Sequence, residues 1–337
     1  MGKSTIPLVL PFLGIFMLIL DAGTAARGAS EGVQLCLQTV IPSLFPYFVL
    51  SSYITTGLSG QTLRFLSPVA KWLRIPAGSE QFWLVGLLGG YPVGASVLSQ
   101  AHRDGILSKG DYSRMMAFCS NCGPAFIFGL GSYLFSNHLW CWLLWLIHIA
   151  ASVMVALLTP GGGQTAIQAK AKHKASISAS LASSVRTMGY VCGWVVLFRV
   201  IMVFCQRWFL WAFPGWVQLS LLGFLELANG CTQLYTIADE PVRFVYFSMF
   251  IGFGGACVTM QTESLCDDLG MYLPGKLMHG LLSTLLAGLL VFPEIRLQLA
   301  MLTLLSVAIY YFLTRWQQKG LDFRLHLLYD KKKIHTR

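Results

Sequence analysis

The chain has 337 residues, 55% of them hydrophobic and 11% charged, with a formal net charge of +10. That balance excludes an ordinary soluble domain, because the apolar residues fall into blocks long enough to cross a bilayer. It also argues against nucleic acid as a partner: the basic residues sit in loops between apolar blocks and in the tail, without the patch or motifs of a binding domain. The partner implied is the lipid bilayer, and the charge reads as topology.

In chain order, Lys3 precedes an apolar run over residues 6–20 that has the look of a signal peptide, but Asp21 and the return to apolar sequence at Val33 favour a retained first span. Full crossings are expected at residues 6–25, 33–57, 112–135, 139–158, 184–210, 242–264, 275–292 and 297–315. Two further apolar segments, 82–101 and 217–238, are interrupted at Gly89-Gly-Tyr-Pro-Val-Gly94 and at Glu226-Leu-Ala-Asn-Gly230. Their halves, about eight to ten residues each, are too short to cross alone. Both are expected to be re-entrant helical hairpins.

Two crossings are themselves broken. Phe118-Cys-Ser-Asn-Cys-Gly-Pro-Ala-Phe126 matches Phe250-Ile-Gly-Phe-Gly-Gly-Ala-Cys-Val258, so that Phe118 aligns with Phe250 and Gly123 with Gly255. Each is followed by a helix carrying one histidine, His148 or His279. Unwound backbone leaves amides and carbonyls that hydrocarbon cannot satisfy, so a matched pair of breaks points to a protein-lined cavity.

The positive-inside rule tests the count. With the N-terminus inside, nineteen of the 24 lysines and arginines fall on the cytoplasmic side, Lys276 among them; Arg27, Arg207, Arg243 and Arg296 fall outside, and Arg199 lies within a span. Treating either hairpin as a full crossing would invert everything after it. An odd number of crossings separates the two repeats, so they enter from opposite faces, as in many secondary transporters. The expected organisation is a first span and connector (1–32), a first repeat (33–160), a basic cytoplasmic linker (161–182), a second, inverted repeat (183–292), a last span (293–315) and a basic cytoplasmic tail (316–337). The fold class is an all-α polytopic membrane protein with about eight transmembrane helices and two re-entrant hairpins.

The stretches Val40-Ile-Pro-Ser-Leu-Phe-Pro-Tyr-Phe-Val-Leu50, Gly89-Gly-Tyr-Pro-Val-Gly-Ala95, Asn121-Cys-Gly-Pro124, Leu225-Glu-Leu-Ala-Asn-Gly230 and Gly252-Phe-Gly-Gly255 together resemble the sporulation integral membrane proteins of the YlbJ/SpoVV type, which carry a nucleoside-recognition gate domain. The resemblance implies a fold like that of concentrative nucleoside transporters and movement of dipicolinate from the mother cell toward the forespore. It further implies a place in the mother-cell-derived membrane around the forespore. The chain departs from the family pattern at Cys119 or Cys122 and at Thr259, which leaves substrate and coupling ion, proton or sodium, open.

Candidate solute-binding residues gather at the interruptions: Gly89, Gly90 and Tyr91 in the first hairpin, and Ser120, Asn121 and Gly123 at the first break, where Pro124 disfavours a regular helix. Asn229 belongs to the second hairpin, with Gly254, Gly255, Thr259 and Gln261 at the second break. Asn121 offers a donor and an acceptor, or alternatively supports a simple kink. Gly254 and Gly255 permit close approach of a ligand or close helix packing. Glu226 is the coupling candidate, open to protonation, cation binding or a structural pair with Arg199; Arg199 alternatively offers a forked site for a dicarboxylate. His148 and His279 read either as proton-relay residues or as partners of neighbouring backbone carbonyls. Trp140, Trp142, Trp145, Trp208, Trp211 and Trp216 read as interface anchors.

Nine cysteines lie almost entirely in apolar blocks as packing residues. The lone Cys119-x-x-Cys122 lacks further ligands or a thioredoxin-like context, so neither metal nor other cofactor is expected. No GxxxxGK[ST] loop and no nucleophile-base constellation appears, so ATP-driven pumping and enzymatic activity are not expected. Nucleoside transport, and a non-transporting assembly or signalling role, remain the competing readings, and the architecture leaves room for an oligomer.

Overall fold

The computed structural model describes residues 6–57, 63–162 and 176–335, with side chains from 11 to 316 within those ranges. Among the described residues there is no strand; the chain is a bundle of helices. Residues 163–175 of the expected linker lie outside them.

Helix α1 spans Ile6–Leu20 and ends at Asp21, whose carboxylate caps α2 (Ala22–Leu35) by accepting the Thr24 N–H at 3.2 Å. A π-helical turn, Cys36–Val40, carries α2 into α3 (Ile41–Gly57), so Ala22–Gly57 is one apolar helix of 36 residues. At 1.5 Å per residue it is about 54 Å long, well beyond a hydrocarbon core. Helix α1 thus stops at residue 20, short of the expected 25, and the stretch up to residue 32, expected as a connector, is helical from Ala22. Its small residues serve packing. A Cβ on Gly28 or Gly32 would come within 2.5 Å of Val203 and 2.8 Å of the Val196 backbone on the facing helix.

After α4 (Ser67–Trp72), α5 (Glu80–Gly89) and α6 (Val93–Arg103) form the first interrupted pair, packed on each other. The first broken crossing is α7 (Lys109–Met116), irregular backbone over 117–123, and α8 (Pro124–Leu134). Then come α9 (His138–Leu158) and α10 (Ile177–Trp208). The second interrupted pair is α11 (Gly215–Leu225) and α12 (Leu227–Thr232), followed by a 3₁₀ turn, Gln233–Thr236. Its second arm is thus shorter than expected, because Glu226 restarts the chain with a tight cap and the helix unwinds within two turns. The second broken crossing is α13 (Glu240–Phe253) and α14 (Gly255–Leu265), with the left-handed Gly254 (φ +83°) between them. Helices α15 (Tyr272–Val291) and α16 (Arg296–His335) complete the chain.

Among the described residues, six helical stretches are long and apolar enough to cross a bilayer unaided. Of the eight expected crossings, the 15-residue α1 and the divided α7/α8 are not single helices of that kind. The halves face one another through matching elements: α3 packs on α10, and α9 on α15. Those contacts bring the breaks together.

Arg114 is buried beside the C-terminus of α9 and donates to the carbonyls of Thr159 (3.2 Å), Arg74 (3.2 Å), Leu73 (2.8 Å) and Ala156 (2.6 Å). Arg74 donates to Leu157 (2.8 Å) and Thr159 (3.1 Å). The two guanidiniums satisfy the free carbonyls at the C-terminus of α9, where positive charge also complements the helix dipole.

Candidate functional site

Each interrupted helix pair locks onto the break of the broken crossing in its own half. A Cβ on Gly86 or Gly94 would lie 1.7 or 2.0 Å from the Cys119 carbonyl oxygen, and one on Gly90 (φ +77°) would lie 3.0 Å from the Gly123 nitrogen. In the second half Gly230 packs on Gly223, Gly223 on the Phe250 ring, and Gly255 against Leu227. Gly89 is buried against Ser51 and Val93. Gly86, Gly94, Gly223 and Gly230 are needed because backbone meets backbone or ring with no room for a side chain, and Gly255 because of its left-handed backbone (φ +82°).

Tyr91 then joins the halves. Its hydroxyl donates to the Ile251 carbonyl at 3.1 Å, with Gly252 at 3.4 Å, and its ring fills the space over Gly254, where a Cβ would come within 3.1 Å. The turn between α5 and α6 therefore seats in the second break.

At this convergence lies a residue that the charge count assigned to a cytoplasmic loop. Lys276 is only 1% exposed, one turn inside α15. Its Nζ contacts the Ser120 carbonyl oxygen, Asn121 Oδ1 at 3.1 Å, the Tyr91 hydroxyl at 3.4 Å and His279 Nδ1 at 3.5 Å, and lies 5.1 Å from the Tyr91 ring centroid. Among the described residues it has no carboxylate partner. Asn121 is held for this contact: its Nδ2 donates to the Phe118 carbonyl at 2.7 Å and to Ser152 Oγ at 3.3 Å. The Ser120 hydroxyl beside it is buried with no hydrogen-bond partner.

The cluster continues through both histidines. His279 Nε2 is 3.1 Å from His148 Nδ1, and His148 Nε2 accepts the Cys122 backbone N–H at 2.9 Å. Neither histidine turns to a backbone carbonyl; each is the other's partner. The amide left free by the first break is thereby satisfied, and a polar line runs from Cys122 through His148 and His279 to Lys276.

A small cavity of about 50 Å³ lies on the other side of Tyr91, lined from both halves by Tyr91, Cys122 and Gly123 and by Glu226, Leu227, Val258 and Gln261, with walls from α3 and α10. Glu226 is buried but satisfied within its own turn, accepting N–H bonds from Ala228 (3.1 Å) and Asn229 (2.7 Å) and from Asn229 Nδ2 (2.7 Å). It does not pair with Arg199. Of the alternatives open for Glu226, the pair with Arg199 is not the one formed: Arg199 reaches Glu31 on α2, with Nη2 and Nε 2.6 and 2.9 Å from Oε2. The Gly-rich approach of α2 to α10 puts Glu31 there, and Arg199 lines neither the cavity nor the lysine cluster.

Of the other expected residues, Gln261 lines the cavity and donates to Cys257 Sγ at 3.2 Å, while Thr259 turns its hydroxyl back to the Gly255 carbonyl at 3.1 Å. Asn229 supports Glu226. Lys276 and Glu31 were missed. A signal for Lys276 was present: Tyr272, Lys276, His279 and Ser283 recur at spacings of four, three and four, a polar stripe on one helix face, and all four are buried.

The chain is 23% identical to the sporulation integral membrane protein YlbJ of Bacillus subtilis (strain 168), over an alignment of 307 residues that covers 76% of this chain and 74% of YlbJ. The similarity supports a YlbJ-type assignment. That relative's name and the apolar helices of this chain agree on an integral membrane protein. No protein-family model matches the chain, and no solved structure gives a significant match.

Proposed function

We propose that this YlbJ-type protein is a secondary transporter for a small carboxylate anion, dipicolinate, which it moves from the mother cell toward the forespore by alternating access. The observation that carries the reading is Lys276: a buried ammonium group at the meeting point of both broken crossings and the first hairpin, with neutral oxygens and a histidine around it and no carboxylate. A buried cation without a counter-ion is costly, so either a solute anion supplies the missing charge or the proton leaves. The unpartnered Ser120 hydroxyl, the Tyr91 hydroxyl and Asn121 are the polar groups that would orient that anion. Dipicolinate is the candidate through the YlbJ similarity and the family resemblance of the sequence. On this reading the interrupted pairs are re-entrant, the halves are inverted, and both termini are cytoplasmic. The chain would act in the mother-cell-derived membrane around the forespore, and a titratable Lys276 at the centre favours a proton as coupling ion.

Proteoliposomes holding folded protein should take up labelled dipicolinate above protein-free vesicles, with little competition from uridine or adenosine. Flux that nucleosides block and dipicolinate does not would transfer the assignment to nucleoside transport. No flux of either, with intact phenotype in cavity variants, would favour an assembly role.

A further inference from the structure

A second, larger cavity of about 410 Å³ opens among the C-terminal ends of α3, α6 and α14 and the N-terminal part of α10. It is unlike the apolar surfaces elsewhere on the bundle: two arginines, Arg103 and Arg186, stand among serine and threonine hydroxyls, with one carboxylate, Asp267. Arg103 is occupied, its guanidinium 3.3 Å from Asp267, 2.9 Å from Ser99 and 2.9 Å from Gln100. Arg186 is exposed and has no ion-pair partner among the described residues.

This vestibule is stacked on the small cavity beside Tyr91. The same three helices line both, one turn apart: Leu44 and Phe48 on α3, Val191 and Thr187 on α10, Gln261 and Leu265 on α14, the first of each pair facing the inner cavity and the second the vestibule. Between the two, α10 and α14 are pinned by the Trp194 Nε1–H bond to Ser264 Oγ, 2.8 Å. A solute entering at Arg186 thus has one helical turn to pass before it reaches Tyr91, whose hydroxyl contacts Lys276.

We propose that this vestibule is a recruitment site for a small carboxylate anion, with Arg186 as its charged contact and the hydroxyls of Ser52 and Ser96 as its polar ones. The proposal rests on the transport reading for what happens next, but binding at Arg186 is separable from flux. A free guanidinium among hydroxyls selects a carboxylate over a neutral solute of similar size.

The test is protection of a thiol placed in the vestibule. Thr187→Cys, in phosphatidylcholine vesicles, is labelled with a maleimide, and the modified peptide is counted by mass against the wild-type chain. Native Cys266 also lines the vestibule, but burial pushes its thiol up to about 11, so it reacts slowly near neutral pH. Dipicolinate at ten times its half-protecting concentration should slow labelling about tenfold, and uridine should not. Adding Arg186→Gln should raise the half-protecting concentration about tenfold, equivalent to 1.4 kcal/mol, with Arg186→Lys in between. Equal protection by uridine, an unchanged half-protecting concentration in Arg186→Gln, or protection that appears only when phosphatidylglycerol is added, marking a lipid-headgroup site, would overturn the proposal. Protection without flux in the wild type would leave the recruitment site standing and remove the transport reading; flux without protection would do the reverse.

Discussion

His148 and His279, which occupy matching positions after the two breaks, meet ring to ring, their centroids 4.3 Å apart and their facing nitrogens 3.1 Å apart. Equivalent residues that touch each other lie where the two halves of the chain meet. The Cys122 N–H fixes the chemistry of this contact. A nitrogen that accepts a backbone N–H bears no proton, so His148 is neutral with its proton on Nδ1, directed at His279 Nε2; a neutral His279 then bears its own proton on Nδ1, which faces Lys276 Nζ at 3.5 Å and fits the free amine, whereas an ammonium there would set two donors against each other. Charging His148 would break the Cys122 bond and charging His279 would break the bond between the two histidines, which leaves Lys276 as the group of this line that can carry a mobile proton without breaking it.

Lys276→Met is therefore expected to abolish concentrative dipicolinate uptake without unfolding the protein. Loss of a charge-assisted contact is worth about 1.5–3 kcal/mol, a drop in apparent affinity of roughly tenfold to more than a hundredfold. Thermal unfolding should be unchanged or shifted upward, because an apolar residue of similar length removes a desolvated charge. Uptake at wild-type affinity in this variant would remove Lys276 from the solute site.

The sign of the pH response follows from the same group. An ammonium that meets a dianion binds it while protonated, so apparent affinity should fall as pH rises through the titration of the site, and substrate should in turn hold the proton more tightly. Measured over a pH series in proteoliposomes with the gradient collapsed, the wild type should show this decline and Lys276→Met should be flat. A decline of equal size in both would assign the titration to the solute or to another group.

Arg199 separates the expected from the observed site. Its pairing with Glu31 on a partly exposed helix face predicts that Arg199→Gln and Glu31→Gln each cost at most about 1 kcal/mol, with a coupling energy of the same order in a double-mutant cycle. Dipicolinate affinity should be unaltered. A tenfold loss in Arg199→Gln alone would restore this residue to the solute path.

These cases mark what could be read from the chain. The two breaks and the two interrupted pairs were legible because glycine and proline interrupt apolar periodicity locally, as at Gly90, Gly123 and Gly254. Which charge lies at the centre was not. Lys276 stands near the start of an apolar helix, where a lysine ordinarily marks a loop, and only the packing of α15 against α9 and the first break buries it. The polar stripe from Tyr272 to Ser283 was the one local clue. Glu31 was hidden for the opposite reason: small residues around it resemble a connector, and their role as a packing face needs the partner α10 to be seen.

The glycines at the hairpin tips give the sharpest structural test. A methyl group on Gly86 would stand 1.7 Å from the Cys119 carbonyl oxygen, and one on Gly230 would stand 2.2 Å from the Gly223 Cα; both obstacles are backbone, which cannot rotate away. Gly86→Ala and Gly230→Ala should each destabilise by about 1–3 kcal/mol or more, opposing the gain that alanine normally brings to a helix. Gly189 on α10 has open space around its would-be Cβ, so Gly189→Ala serves as the control and should be neutral or mildly stabilising. Thermal unfolding of the three variants in one detergent gives the comparison, and equal melting temperatures would mean that hairpin tips and breaks are not interlocked as described.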